Sequence, residues 1–479
     1  MLFSSPLFVF LFLPIVLGGY FLVPTILRNL LLVIASLLFY AWGEGAYVVI
    51  MIFSMSLNYG FGILIYEFHH LAKWTLAVAT TVNLGLLAFF KYSVFLVQNI
   101  ELLLSPLGIN VGPIDSVHLP LGISFFTFHS ISYLIDIYRK DAPAQKKPID
   151  LALYISFFPQ LIAGPIIRYH DISDQLSKRV VRPEDFAIGI RRFIIGLGKK
   201  VIIANTLAAP ADQIFLLSSD QLTTSLAWLG IICYTLQIYF DFSGYSDMAI
   251  GLARMFGFRF LENFNYPYVS RSIQEFWRRW HISLSNWFRD YLYIPLGGNR
   301  AKPWRVYCNL VVVFFLCGLW HGASWNFVIW GMLHGTFLVL ERLGLAKFFD
   351  NNAPWLGHVY TLAVVTIGWV FFKSEDLHGA LAYLKIMAGF GLGVGIEYHV
   401  SLYLTQEVAL ILILAVLGAL PLKSFIKIAR SKLNLTGIQV GQSSYALPIM
   451  DISYLTMVFL VSMSYLAAGT YNPFIYFRF

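Results

Sequence analysis

Phe314-Phe315-Leu316-Cys317-Gly318-Leu319-Trp320-His321-Gly322 places a histidine inside one of the most apolar stretches of the chain. An ionisable side chain at membrane depth is costly, so such a residue reads first as a functional group. Upstream, Phe276-Trp277-Arg278-Arg279-Trp280-His281 holds a second histidine directly after a tryptophan, in an aromatic and cationic run. Two histidines so placed point to chemistry inside a membrane.

Composition extends that reading to the whole chain. Of 479 residues, 58% are hydrophobic and 12% charged, and the mean hydropathy is +0.71. One or two large soluble cores would need many more charged surface positions. Candidate apolar spans recur at 7–23, 27–42, 45–66, 74–98, 119–137, 150–167, 187–208, 223–253, 307–320, 324–343, 357–373, 406–421 and 452–469, several of them too short or too interrupted to be ordinary spans. The first has no positive charge before it and no small-residue cleavage site after it, so it reads as an uncleaved helix rather than a signal peptide. The run 119–137 opens Leu119-Pro120-Leu121-Gly122, and 150–167 contains Pro159, Gly164 and Pro165. Such breaks predict re-entrant or broken helices buried in protein or lining a cavity, because lipid does not tolerate irregular backbone. The stretch 265–300 is aromatic but too charged to span, and reads as interfacial or re-entrant helices. With no internal repeat and no soluble domain, residues 1–479 read as one polytopic membrane domain.

The net charge of +8 does not point to nucleic acid, because of where the charges lie. The basic residues gather between apolar runs: Arg139, Lys140, Lys146 and Lys147; Arg168 to Lys200; Arg271 to Arg305; and Lys423, Lys427, Arg430 and Lys432. Positive residues favour the cytoplasmic side, which predicts that these segments face the cytoplasm. The three cysteines form no CxxC pair and no zinc spacing. Cys317 reads as a small buried hydrophobe.

His321 suits a general base for a hydroxyl nucleophile; the alternative is a histidine hydrogen-bonded across helices as packing. If the helix continues, Ser324 and Trp325 share its face, Ser324 orienting the ring while Trp320 and Trp325 narrow the cavity. On the same assumption His334 faces well away from His321 and is structural or interfacial. Arg278, Arg279 and Arg289 carry guanidinium forks that bind phosphate, or else meet anionic lipid headgroups. Asp241 and Asp247 lie too far apart, with no adjacent histidine, to make a good metal site. They are expected to orient a histidine or pair with an arginine. There is no P-loop, no G-x-S-x-G elbow and no H-E-x-x-H.

Several segments resemble the membrane-bound O-acyltransferase family, and within it the alginate O-acetyltransferase branch. They are PQLIAGPIIR (159–168), QIYFDFSGYSDMAIGLARMFGF (237–258), EFWRRWHISLSNWFRDYLYIPLGGNR (275–300) and GLWHGASWNFVIWG (318–331). The opening MLFSSPLFVFLFLP, LPLGISFFTFHSISYLIDIYR (119–139) and the closing Asn472-Pro473-Phe474-Ile475-Tyr476-Phe477 are also similar to that branch. The likeness is weakest around 425–450. It implies an all-α integral membrane protein of about eleven transmembrane helices, with re-entrant and interfacial helices around a membrane-crossing tunnel. His321 and His281 match the family's two functional histidines, and Trp280, Trp320, Ser324 and Trp325 would line the tunnel. The resemblance further implies acetyl-CoA as donor, with no tightly bound cofactor or metal. The acceptor is a secreted polysaccharide such as alginate, and an extracytoplasmic SGNH-type partner assists. The place implied is the bacterial inner membrane. A sister branch that passes D-alanine to teichoic acids shares both histidines but fits the opening and closing motifs less well. A transporter, or a scaffold of an export machine, is the reading without catalysis.

Overall fold

The computed structural model describes all residues except 110–111, 113–116, 392, 394, 396, 423–445, 470 and 474–479. The basic group Lys423–Lys432 and the end of the closing motif therefore lie outside the described residues. Among the described residues the chain is helical and contains no strand. In order the helices are α1 (Leu13–Leu22), α2 (Arg28–Glu44), α3 (Val48–Glu67), α4 (Ala72–Leu104), α5 (Ile123–Arg139), α6 (Pro148–Ser156), α7 (Phe158–Leu161), α8 (Tyr169–Ser177) and α9 (Pro183–Gly198). They continue as α10 (Asn205–Phe215), α11 (Thr224–Met255), α12 (Ile273–Arg279), α13 (Ile282–Phe288), α14 (Pro303–His321), α15 (Trp325–Leu340), α16 (Ala346–Asn352), α17 (Pro354–Lys373) and α18 (Leu377–Lys385). Gln406–Gly418 and Ala446–Ala467 follow. Among the described residues, seven helical segments are long and apolar enough to cross a membrane, and three shorter apolar helices accompany them.

The exposed surface of these helices is itself apolar. Leu22, Ile26, Leu102 and Leu103 stand well exposed, which in water would be an aggregation liability and in lipid is the favourable arrangement. Trp74, Trp304 and Trp355 are likewise exposed near the starts of α4, α14 and α17, where amphipathic rings meet headgroups. At the centre runs α11, buried almost along its whole length. It lies against α9 at a glycine crossing: a Cβ on Gly244 would sit 2.7 Å from the Gly196 carbonyl oxygen. Small residues let helices approach closely in a membrane, where dispersion and hydrogen bonds replace the hydrophobic drive.

Three basic segments meet on one face. Arg139 donates to the Asp290 carbonyl at 3.1 Å, and Arg168 pairs with the Asp290 carboxylate. The acidic residues of the 237–258 motif pair with cations, and the expected arginine is found at Asp247 while the Asp241 partner is a lysine. Asp241 meets Lys200 at 2.5 Å, and Asp247 meets Arg192 and Lys199 at 2.8 and 2.7 Å.

The broken segments fall where the proline and glycine pattern puts them. α5 starts only at Ile123, after Gly122 at φ +75°. The run 150–167 is split into α6 and α7 and then continues without helix to Arg168. These two irregular stretches press on each other: a Cβ on Gly122 would lie 2.6 Å from the Leu161 carbonyl oxygen.

Candidate active site at two helix breaks

Both histidines sit where a helix ends. α14 stops at His321, and Gly322 is extended. α15 then opens at Trp325 with Ser324 at its N-cap. α14 and α15 form a close antiparallel hairpin, because Gly318 and Gly331 face one another across it. A Cβ on Gly318 would be 2.3 Å from the Phe327 carbonyl oxygen, and one on Gly331 would be 2.2 Å from that of Phe314. The expectation that Ser324 and Trp325 extend the His321 face is thus corrected. Gly322-Ala323-Ser324 breaks the helix, so a spacing of three or four carries no shared face across it. Trp325 is 54% exposed and turns onto α4, donating to Asn99 Oδ1 at 3.0 Å.

His321 is 6% exposed, and its ring faces aromatic neighbours. It is boxed edge-on by Trp320, Trp330 and Phe372, with ring centroids at 4.8, 4.9 and 5.2 Å. Trp320 stacks on Phe128 at 5.3 Å, and Phe128 stacks on Trp287 at 3.8 Å. A narrow cavity of about 20 Å³, room for a single water, opens beside His321. Its walls are Lys91, the loop and start of α5 from Leu119 to Phe125, Ile162, Trp320 and His321. The irregular backbone therefore lines a cavity rather than meeting lipid.

His281 separates α12 from α13 in the left-handed region, at φ 43°. A non-glycine residue there is uncommon and points to a constraint imposed by its surroundings. His281 is fully buried, and its ring lies 4.6 Å from the Phe242 ring and 6.3 Å from Trp320. Asn263 holds it in place. The Ser283 amide and hydroxyl donate to Asn263 Oδ1 at 3.2 and 2.8 Å, and His281 Nδ1 lies 3.2 Å from the same oxygen. Because the backbone N–H fixes the amide's acceptor end, Nδ1 is assigned as the donor and Nε2 as the ring's acceptor. Nε2 is buried and without a hydrogen-bond partner among the described residues. Ser283 Oγ in turn accepts from the Ile166 amide at 2.9 Å, tying this break to the broken 150–167 run.

The other residues singled out in the sequence divide. Trp280 is buried against Phe264, Phe276 and Trp369. Arg279 is engaged in the fold, bonding Glu275 at 2.9 Å and the Asn265 carbonyl at 3.1 Å. Arg289 is half exposed and pairs with its neighbour Asp290 at 2.7 Å. Arg278 is exposed on the basic face.

Three further residues that sequence reasoning passed over enter the site, and a fourth, His334, lies nearer than expected. Lys91 Nζ reaches the Trp320 carbonyl, and Tyr92 Oη donates to the Leu319 carbonyl at 2.7 Å. A lysine inside the apolar run 74–98 carried the same signal as His321. Asn263 carried none, being an ordinary polar residue in a connecting loop. His334 was expected to face away, yet its ring is 5.0 Å from Trp330, whose own ring meets His321. The break at 322–324 folds α15 back and brings it near.

The sequence pattern of the membrane-bound O-acyltransferase (MBOAT) family matches residues 61–373. The chain is 43% identical over 492 aligned residues, covering 100% of both chains, to a probable alginate O-acetylase of Pseudomonas putida. It is 48% identical to one from Pseudomonas aeruginosa, over 82% of this chain and 75% of that one. A peptidoglycan O-acetyltransferase of Helicobacter pylori is 39% identical, over 81% and 80%. With a helical, multi-pass architecture and two buried histidines at helix breaks, this chain belongs to the membrane-bound O-acyltransferase family and is an O-acyltransferase.

Proposed function

We propose that the protein moves acetyl from acetyl-CoA to a hydroxyl destined for a secreted polysaccharide of the alginate type, with an extracytoplasmic SGNH-type partner. The observation that carries this reading is the pair of buried imidazoles, His321 and His281, flanking Trp320 beside a cavity walled by broken helices. His321 takes the proton of the acceptor hydroxyl as its oxygen attacks the thioester carbonyl carbon. A C–O bond forms, the C–S bond breaks, and the thiolate leaves with a proton. His281, its Nδ1 held by Asn263, offers Nε2 to a donor or acceptor proton. The aromatic box excludes bulk water that would hydrolyse the thioester. The basic face attracts the phosphates of the donor, and it faces the cytoplasm of a bacterial inner membrane.

Proteoliposomes holding the full chain test the reading. Acetyl-CoA supplied on the basic face should yield free CoA and O-acetylated alginate oligosaccharide when the acceptor and its partner are present. Turnover of a D-alanyl carrier protein instead of acetyl-CoA would place the chain in the teichoic-acid branch. No turnover of either, with folded protein, would overturn the reading.

A further inference from the structure

The last four carbonyls of a helix have no partner within it, and buried ones must find partners elsewhere. At the end of α14 each of the four is accounted for. Gly318 O accepts from the Gly322 amide at 3.3 Å. Leu319 O accepts from Tyr92 Oη at 2.7 Å. Trp320 O accepts from Lys91 Nζ, which also lies 3.4 Å from His321 O. Two successive side chains of α4 thus close the turn that carries His321. The ammonium suits this place, because cations are favoured at helix C-termini and their hydrogen bonds are charge-assisted. The same Nζ stands 5.8 Å over the Trp320 ring and 3.5 Å from Ser124 Oγ at the start of α5. It therefore ties together three walls of the cavity that contains His321.

We propose that Lys91, seconded by Tyr92, is a positioning residue for acyl transfer: it stops α14 at His321 and fixes the imidazole against the cavity. This rests on the reading of His321 as the base. A lysine kept at membrane depth only to stabilise the fold would be a costly choice, since an apolar residue of the same length is cheaper there. Without the ammonium, the carbonyls of Trp320 and His321 lose their side-chain donor. The last turn can then wind on through Gly322 or fray, and the ring moves. Misplacement of a reacting group by about 1 Å costs on the order of 100-fold in rate.

The test is CoA release from acetyl-CoA by proteoliposomes of the full chain, comparing wild type, Lys91→Met, Lys91→Arg, Tyr92→Phe and His321→Ala. Folded protein is measured in parallel by size-exclusion profile and melting temperature. Lys91→Met should insert and fold, as it removes a charge from the membrane, while kcat falls by about 100-fold and KM for acetyl-CoA stays within about twofold. Lys91→Arg keeps a cationic donor of similar reach and should recover most of the rate. Tyr92→Phe removes one carbonyl partner and should lose about tenfold in kcat, which supplies a second readout if Lys91→Met folds poorly. A wild-type kcat in Lys91→Met or Tyr92→Phe, or losses that only track the amount of folded protein, would overturn the positioning role. If His321→Ala is inactive while Lys91→Met is unaffected, this proposal alone fails. If His321→Ala is active, the reading beneath it fails.

Discussion

Gly331→Ala is the smallest change that should disable the site without touching a histidine. The added methyl would stand 2.2 Å from the Phe314 carbonyl oxygen and 3.1 Å from the Gly318 Cα and amide nitrogen. All three are backbone atoms, so no side chain can swing aside. Ordinary contact begins near 3.4 Å, so α14 and α15 must part by about 1.2 Å. Overpacking of that kind costs typically 1–3 kcal/mol, against a gain of at most about 1 kcal/mol from replacing glycine within a helix. The His321–Trp330 contact spans the same hairpin. A shift of about 1 Å there should lower kcat by on the order of 100-fold. Gly85→Ala on α4 is the control, because its Cβ meets nothing within 4 Å. Thermal unfolding in detergent and CoA release measured on both variants should separate them, Gly331→Ala losing rate and stability and Gly85→Ala neither. If the two behave alike, the hairpin tolerates the methyl and the close-packing argument is wrong.

Four further predictions concern the basic face. Arg278→Ala should raise the apparent KM for acetyl-CoA by about tenfold, the scale of one charge-assisted hydrogen bond, with kcat little changed. Arg279→Ala should instead lower the yield of folded protein, since Arg279 bonds Glu275 and the Asn265 carbonyl; a KM unmoved in Ala and Lys variants of Arg278, Arg279 and Arg289 would send the donor site elsewhere. Single cysteines at 145, 178 and 302, in a background without Cys233, Cys308 and Cys317, should escape an impermeant thiol reagent added to intact cells; labelling of all three would invert the topology. His170 Nδ1 sits 2.9 Å from Asp136, and the hydrogen bond to that carboxylate raises the His170 pKa above its ordinary value. Its contribution to stability is therefore complete below about pH 6.5 and lost as pH rises through the raised value. The melting-temperature difference between wild type and His170→Asn should shrink across that window, and a constant difference would remove the charged contact from the account.

Much of the architecture was legible because membrane physics leaves few options. The breaks at 119–122 and 159–165 followed from proline and glycine inside apolar runs, and both line the cavity beside His321 as irregular backbone must. The pairing of Asp241 and Asp247 with cations was likewise within reach. What failed was helical spacing carried across a gap. The runs 307–320 and 324–343 were already separate, yet the faces were reckoned as if one helix ran through Gly322-Ala323-Ser324, which contains no proline. That one error put Ser324 and Trp325 on the His321 face and sent His334 away from it. The arginines were weighed as anion ligands although Glu275 stands four residues before Arg279, a spacing that pairs them on a helix. Lys91 obeyed the same rule that singled out His321, yet it was read only as part of the apolar run 74–98. Asn263 could not be read at all, since its role exists only once Ser283 and His281 fold back onto it.

The central claim is that His321 is the base for acyl transfer, with His281 assisting. The most direct test is CoA release by proteoliposomes of His321→Ala and His281→Ala against wild type, with membrane insertion and melting temperature checked for each. The account predicts that His321→Ala loses about 10²–10⁴-fold in kcat, the scale of a general base, while remaining folded, and that His281→Ala is strongly but less completely impaired. A folded His321→Ala protein that turns over acetyl-CoA at the wild-type rate would contradict it.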